Sequence, residues 1–361
     1  MAAANMVNDI LAAVAVVING LPQGLLALSY GFAALPTALA FAIGAAGALL
    51  FRSVAPISFQ AESIVLAGTL GSNRHERCSI VVICGLAMAL AGALGLLQPT
   101  VAFIGPAVEN GMMAGVGIIL ATVAVNMVKA NPRVGIASLA VALLVYTFTN
   151  NLVWTIVSSV VLSTVLWILV RPKHVGMQQP SPNASAADIE VIRRIPLTVN
   201  ARVIRGALAM ICMQVGGNIA YAGITGKIAN SGVNVDHVTL YSGMADAVSA
   251  FFGGGPVEAI ISGTGAAPRP LVAGVLMMAM MAVILASRLL PVLARHVPSE
   301  SIAGFLFVLG ALVAFPINIK AAVGADPLIG GVTTVVTAAT DPFVGLVAGV
   351  LVRMLMALAG A

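Results

Sequence analysis

The sequence is poor in charge. Only 8% of its 361 residues are Asp, Glu, Lys or Arg, against roughly a quarter in an ordinary soluble domain. With 60% of the chain hydrophobic, so few charges cannot build a water-facing exterior, and the solvent for most of the surface is lipid. Aromatic residues are also scarce, at 5%, which removes the stacking platforms that nucleic acid needs. The net charge of +5 comes from Lys and Arg in loops, where basic residues set membrane orientation, so no nucleic-acid partner is expected. Cysteine is rare: Cys78, Cys84 and Cys212 form no CxxC pair and read as small apolar packing residues. His75, His174, His237 and His296 fall in loops or at span ends, and the sequence contains neither HExxH nor GxSxG. Neither an enzyme nor a cofactor or metal site is expected.

What the sequence does have is long apolar runs and 37 glycines, the composition of closely packed membrane helices. Stretches of about 20 mainly apolar residues read as spans. They lie near 7–30, 31–51, 56–71, 78–98, 106–128, 133–149 and 152–170, and then 201–228, 238–253, 256–267, 270–290, 297–316, 318–337 and 340–359. The first is too long for a signal-peptide core and lacks a basic leader, so it reads as a retained helix. Between the two sets lies a polar connector, 172–200, rich in Pro and mixed charge, with a short amphipathic helix expected at 186–195. The expected fold is therefore an all-α polytopic membrane protein with about 14 spans. It divides into a first seven-span repeat (1–171) and a second (201–361). An odd number of spans per half makes the repeat an inverted one. Most basic loop residues share the connector's side, which places the connector in the cytoplasm and the N-terminus outside.

Two spans are interrupted. Ala55-Pro56-Ile57-Ser58-Phe59 reads as extended and Gln60 to Gly68 as a half-helix. Gly253-Gly254-Gly255-Pro256 breaks the second, with a half-helix expected from Val257 to Ile261. A helix that starts at mid-membrane exposes free N–H groups and a positive dipole end, and two such ends facing each other form a polar site in hydrocarbon. Intramembrane acids are costly and mark function by default. Glu62 and Glu258 lie near the two starts, and Asp246 lies in the small-residue helix before the second break. Gln214 and Asn218 share a helix face, and Asn19 and Gln23 hold the matching place in the first span.

The run SGMADAVSAFFGGGPVEAIISGTGAAPRP, with the later VPSESIAGFLFVLG, resembles the nucleobase–cation symporters, the nucleobase–ascorbate transporter family. Within it, the guanine, hypoxanthine and adenine permease branch is nearest. APISFQAES sits where that family has its other broken helix. The resemblance implies a uracil-permease-like fold with core and gate domains, a plasma-membrane location (the inner membrane in a bacterium) and a homodimer. It implies carriage of a nucleobase such as guanine, hypoxanthine or xanthine by alternating access, coupled to H+ or Na+. The implied substrate residues are Phe59, Gln60, Gln214, Asn218, Glu258, Ala259 and Ser262, with Glu62 and Asp246 as coupling-ion candidates. The family's acid in span eight falls at Met213 and its acid in span ten near Ser262. Gln214 and Glu258 are the stand-ins. The rival expectation is an anion carrier of the same fold, for sulfate, benzoate or another carboxylate, because opposed half-helix N-termini suit anions without acidic side chains.

Overall fold

The computed structural model describes residues 2–170, 192–294 and 298–359. Residues 172–191, with most of the expected amphipathic helix, lie outside the described residues. The first half contains α1 (Ala2–Ser29), α2 (Ala34–Phe51), a two-residue strand β1 (Ile57–Ser58), α3 (Ala61–Leu70) and α4 (Arg74–Ala93). It continues with α5 (Leu97–Ala130), α6 (Pro132–Thr149) and α7 (Leu152–Val170). The second half contains α8 (Ala201–Ile228), α9 (Val235–Phe251), strand β2 (Glu258–Ala259), a 3-10 turn (Gly263–Ala266) and α10 (Pro270–Ala286). Then come α11 (Leu290–Ala294), a 3-10 turn (Ser299–Ile302), α12 (Ala303–Phe307), a π-helical stretch (Val308–Ala314), α13 (Phe315–Ala325), α14 (Pro327–Ala339) and α15 (Pro342–Ala359). Among the described residues, eight helical segments are long and apolar enough to cross a membrane, and four more are shorter apolar helices.

The helices sort into two bodies by what they pack against. In the core, α4 packs on α9 and α8, and α2 on α9 and α10, with α1 along α10. In the gate, α5 packs on α13, α14 and α15, while α6 packs on α7 and α12. The seam between them is formed chiefly where α8 meets α5 and α15, and where α1 meets α7.

Proline, glycine and capping residues fix the places where the helices begin, bend and stop. Gly105 (φ 75, ψ 170) breaks α5 just before Pro106, so the long span proper starts where the Pro fills the first helical position. Asn73 accepts a hydrogen bond from Glu76 N and starts α4 at Arg74 rather than near residue 78. The twelfth span runs on to Ala325, beyond the expected end at 316. Pro316 has no N–H for the carbonyl one turn back, and the wide turns of Val308–Ala314 absorb the mismatch. Asp326 then caps α14 by accepting from Ile329 N.

The two breaks pair with each other. β1 and β2 run antiparallel, with Ile57 opposite Ala259 and Ser58 opposite Glu258, and all four residues are buried. Each strand supplies hydrogen bonds that mid-membrane backbone cannot obtain from water or lipid. The second break differs from expectation: 257–261 is not a half-helix. Val257 to Ile260 is committed to the strand pairing and its extension, with Ile260 N donating to Pro56 O at 3.3 Å. Only a four-residue 3-10 turn comes next, because Pro268 and Pro270 force the residues before them out of the helical region.

Candidate functional site

A cavity of about 210 Å³ lies at the seam, between the α1 face, the β1–α3 junction, α5, Tyr221 of α8, Ile260–Ile261 and the start of the twelfth span. Its α1 wall carries Asn19 and Gln23, one helical turn apart, with Pro22 between them. Gly24 lets α1 pass this close: a Cβ there would lie 2.9 Å from the Phe59 ring and 2.9 Å from Leu290. Neither amide side chain forms a hydrogen bond with a described residue, and Asn19 Oδ1 and Gln23 Oε1 are buried without a partner. Leaving such groups unmade is costly. They are poised for a group that the protein itself does not supply.

The opposite wall is the N-terminus of α3. Gln60 occupies the capping position with extended backbone (φ −123, ψ 122), but its side chain does not cap the helix. Gln60 Nε2 reaches across to donate to Ala259 O at 3.2 Å. The first helical bond is Ile64 N to Gln60 O, so the N–H groups of Ala61, Glu62 and Ser63 have no partner in the helix. The dipole end of a ten-residue helix thus meets the cavity, with Gln60, Ala61 and Glu62 among the lining residues. Glu62 is solvent-accessible and is the only acid in the lining, which contains no Lys, Arg or His. The remaining wall is largely apolar, including Val116, Ile119, Leu120 and Leu306. This arrangement can bind and release a small polar solute.

Of the expected site residues, Phe59, Gln60 and Glu62 line this cavity. Phe59 is buried and meets Phe41 edge-on at 5.2 Å between ring centroids, leaving little of its ring for a ligand. Gln214, Asn218, Asp246, Glu258, Ala259 and Ser262 do not line it. They form a buried scaffold behind the strands. Gln214 Nε2 donates to Asp246 Oδ2 at 2.8 Å and to Glu258 Oε1 at 2.9 Å. Ser63 Oγ also donates to Glu258 Oε1, and Val257 N donates to Asp246 Oδ1 at 2.6 Å. Ser58 lines the cavity, whereas the Glu258 carboxylate does not reach it, being held by Ser63 of α3 and Gln214 of α8. Asp246 pins the glycine-rich loop, helped by Thr37 Oγ1, which accepts from Gly255 N at 2.8 Å. Asn218 Nδ2 donates to Thr239 Oγ1 at 3.2 Å, tying α8 to α9. Ser262 N donates to Thr225 Oγ1 at 3.0 Å, and that hydroxyl donates to Ile260 O. Thr225 and Ser63, which hold the two breaks in place, carry no distinctive sequence signal. The four-residue spacing of Asn19 and Gln23 beside Pro22 was the signal for the cavity wall.

No family model matches the sequence, and no curated protein matches it. Solved structures do. The transmembrane domain of a cyanobacterium bicarbonate transporter, BicA, matches 96% of this chain and 97% of its own, with TM-score 0.60 and 18% identity. SLC26A9 matches 98% of this chain and 66% of its own, with TM-score 0.53 and 13% identity. The murine Slc26a9 anion transporter in its inward-facing state matches 98% and 68%, with TM-score 0.50 and 15% identity. The chain therefore spans about two-thirds of the SLC26A9 chains. These likenesses show the fold: the protein is a multi-pass integral membrane protein with the uracil-permease-like architecture of membrane transporters. Membership of the nucleobase transporter family, expected from residues 242–310, is not carried by them.

Proposed function

We propose that the chain is a secondary carrier of a small anion, working by alternating access between core and gate. The observation that carries this reading is the seam cavity, where uncapped N–H groups of α3 face Asn19 and Gln23, whose amide NH2 groups can donate to an anion, in apolar surroundings. Backbone amides at a helix start bind anions without a basic side chain. The same fold in a bicarbonate transporter and in an anion transporter supports it. Bicarbonate, chloride, sulfate and carboxylates such as benzoate are the substrate class. Glu62, on the first turn of α3, stands where the anion binds, so the anion enters with a proton or Na+ that offsets this carboxylate. The halves 1–171 and 201–361 act as inverted repeats, and their relative movement exposes the cavity to each side in turn.

A nucleobase is the second reading. It is favoured by Asn19 and Gln23, whose amides offer a donor and an acceptor each to a heteroaromatic edge. Gln214 and Glu258 have no part in it, since their hydrogen bonds are spent on the scaffold.

The test is uptake into proteoliposomes of labelled bicarbonate, chloride, sulfate and benzoate, beside guanine, hypoxanthine, xanthine and uracil, with imposed proton and Na+ gradients. Anion uptake above protein-free vesicles is the expected result. Nucleobase uptake without uptake of any anion would overturn the anion reading.

A further inference from the structure

We propose that Lys227 is a latch between core and gate, positioning the two bodies by closing the seam toward the C-terminal end of α8. The inference rests on the alternating-access reading above. Lys227 stands in the last turn of α8, in the core. Its Nζ donates to Asn110 Oδ1 at 2.5 Å and to Asn318 Oδ1 at 2.6 Å. Asn110 belongs to α5 and Asn318 to α13, both in the gate. One core side chain thus holds two gate helices.

The acceptors are prepared for it. Asn110 Nδ2 donates to Pro106 O and Asn318 Nδ2 to Ala314 O, each at 2.7 Å and each four residues back along its own helix. Those bonds fix both amides with the carbonyl oxygen outward. Both asparagines are buried, so losing Lys227 leaves two oriented acceptors facing a seam. The pairing suits a contact that must break. Lys227 makes no close ion pair with a described residue, and the Glu109 carboxylate acts on it only at longer range. A buried carboxylate would hold the ammonium too firmly for a cycling contact, whereas neutral amides hold it by hydrogen bonds that water can replace.

The latch also stands in the right place. Tyr221 and Val116 line the cavity, six residues before Lys227 on α8 and six after Asn110 on α5. At 1.5 Å per residue that separation is about 9 Å along each helix. The latch therefore lies on the same seam as the cavity, displaced toward one membrane face. Because donor and acceptors ride on different bodies, any movement that opens this side of the seam must break it.

The test uses the full chain in proteoliposomes, with Cys78, Cys84 and Cys212 replaced by Ala and one reporter, Ile119→Cys, in the cavity wall. A membrane-impermeant maleimide is added from either face. Lys227→Met is expected to raise the labelling rate from the face nearest the α8 C-terminus by roughly tenfold, the population shift that loss of one net charge-assisted hydrogen bond produces. Labelling from the other face falls. Asn110→Leu combined with Asn318→Leu should give the same shift with Lys227 retained, and it decides the matter if Lys227→Met does not fold. Lys227→Arg, which can still reach two oxygens, should restore the parent ratio. Unchanged two-sided labelling in the variants would overturn the latch. Labelling needs no transported solute, so failure of the anion reading in uptake assays is a separate outcome.

Discussion

Replacing Gln214 with Leu separates scaffold from binding site. In the structure the Gln214 amide donates to two buried carboxylates at once, at 2.8 and 2.9 Å. A hydrogen bond to a charged group contributes about 1.5–3 kcal/mol, so losing both costs roughly 3–6 kcal/mol. The same change removes Gln214 Oε1, which is buried without a partner, and returns roughly 1–3 kcal/mol. The two ranges leave a net destabilisation of about 2.5 kcal/mol, within a span of about 0–5, a large fraction of a typical domain's stability. Leu fills nearly the same volume, so a cavity adds little. Reversible unfolding in mixed micelles, with increasing SDS, measures it. Asn19→Ala and Gln23→Ala are the controls: their amides satisfy nothing within the protein, so stability should hold to within about 0.5 kcal/mol while the KM for the transported solute rises. If Gln214→Leu unfolds at the parent SDS fraction and instead raises KM, the assignment of Gln214 to the scaffold is wrong.

Single contacts at Glu62 and Asp9 are open to the same kind of test. Glu62→Gln should abolish the dependence of uptake on the proton or Na+ gradient while leaving exchange of the anion intact; uptake still driven by the gradient would remove Glu62 from coupling. Asp9 is buried and accepts from Arg269 Nε at 2.7 Å and from Arg269 N at 3.0 Å, and the Arg269 side chain is 49% exposed. Arg269→Ala should cost about 1–2 kcal/mol, a buried-pair penalty discounted for solvent screening, read in the same micelle titration.

Much of this architecture was legible because bilayer thickness imposes a length on apolar runs. The seventh and eighth spans fall at Leu152–Val170 and Ala201–Ile228, as the runs 152–170 and 201–228 indicate. Helix ends set by side chains were harder. Asn73 acts as a cap through a local hydrogen bond that leaves no trace in hydropathy, and Pro316 resembles a span end unless the π turn before it is known. The breaks at Pro56 and at Gly253–Pro256 were visible because those residues cannot continue a helix. The conformation of the residues just beyond the second break was hidden. Whether 257–261 coils or extends is decided by Ile57 and Ser58, some two hundred residues away, through the strand pairing. Glu62, on a helix start, reaches the cavity, while the Glu258 carboxylate is spent on Ser63 and Gln214. Intramembrane acids pointed to the right region, but only the hydrogen bonds from Ser63 and Gln214 distinguish the acid held inside the protein from the one beside the cavity. The amides of Asn19 and Gln23 gain significance from the company they keep across the seam.

Anion binding in the seam is tested most directly by locating a bound anion in an experimental structure, with bromide or selenate as heavy-atom probes in the purified protein. Density is expected in the seam cavity, within hydrogen-bonding reach of the first-turn N–H groups of α3 and of the Asn19 and Gln23 amides. Density beside Gln214 and Glu258 instead, or none under conditions where the protein carries anions, would refute the assignment of the cavity as the anion site.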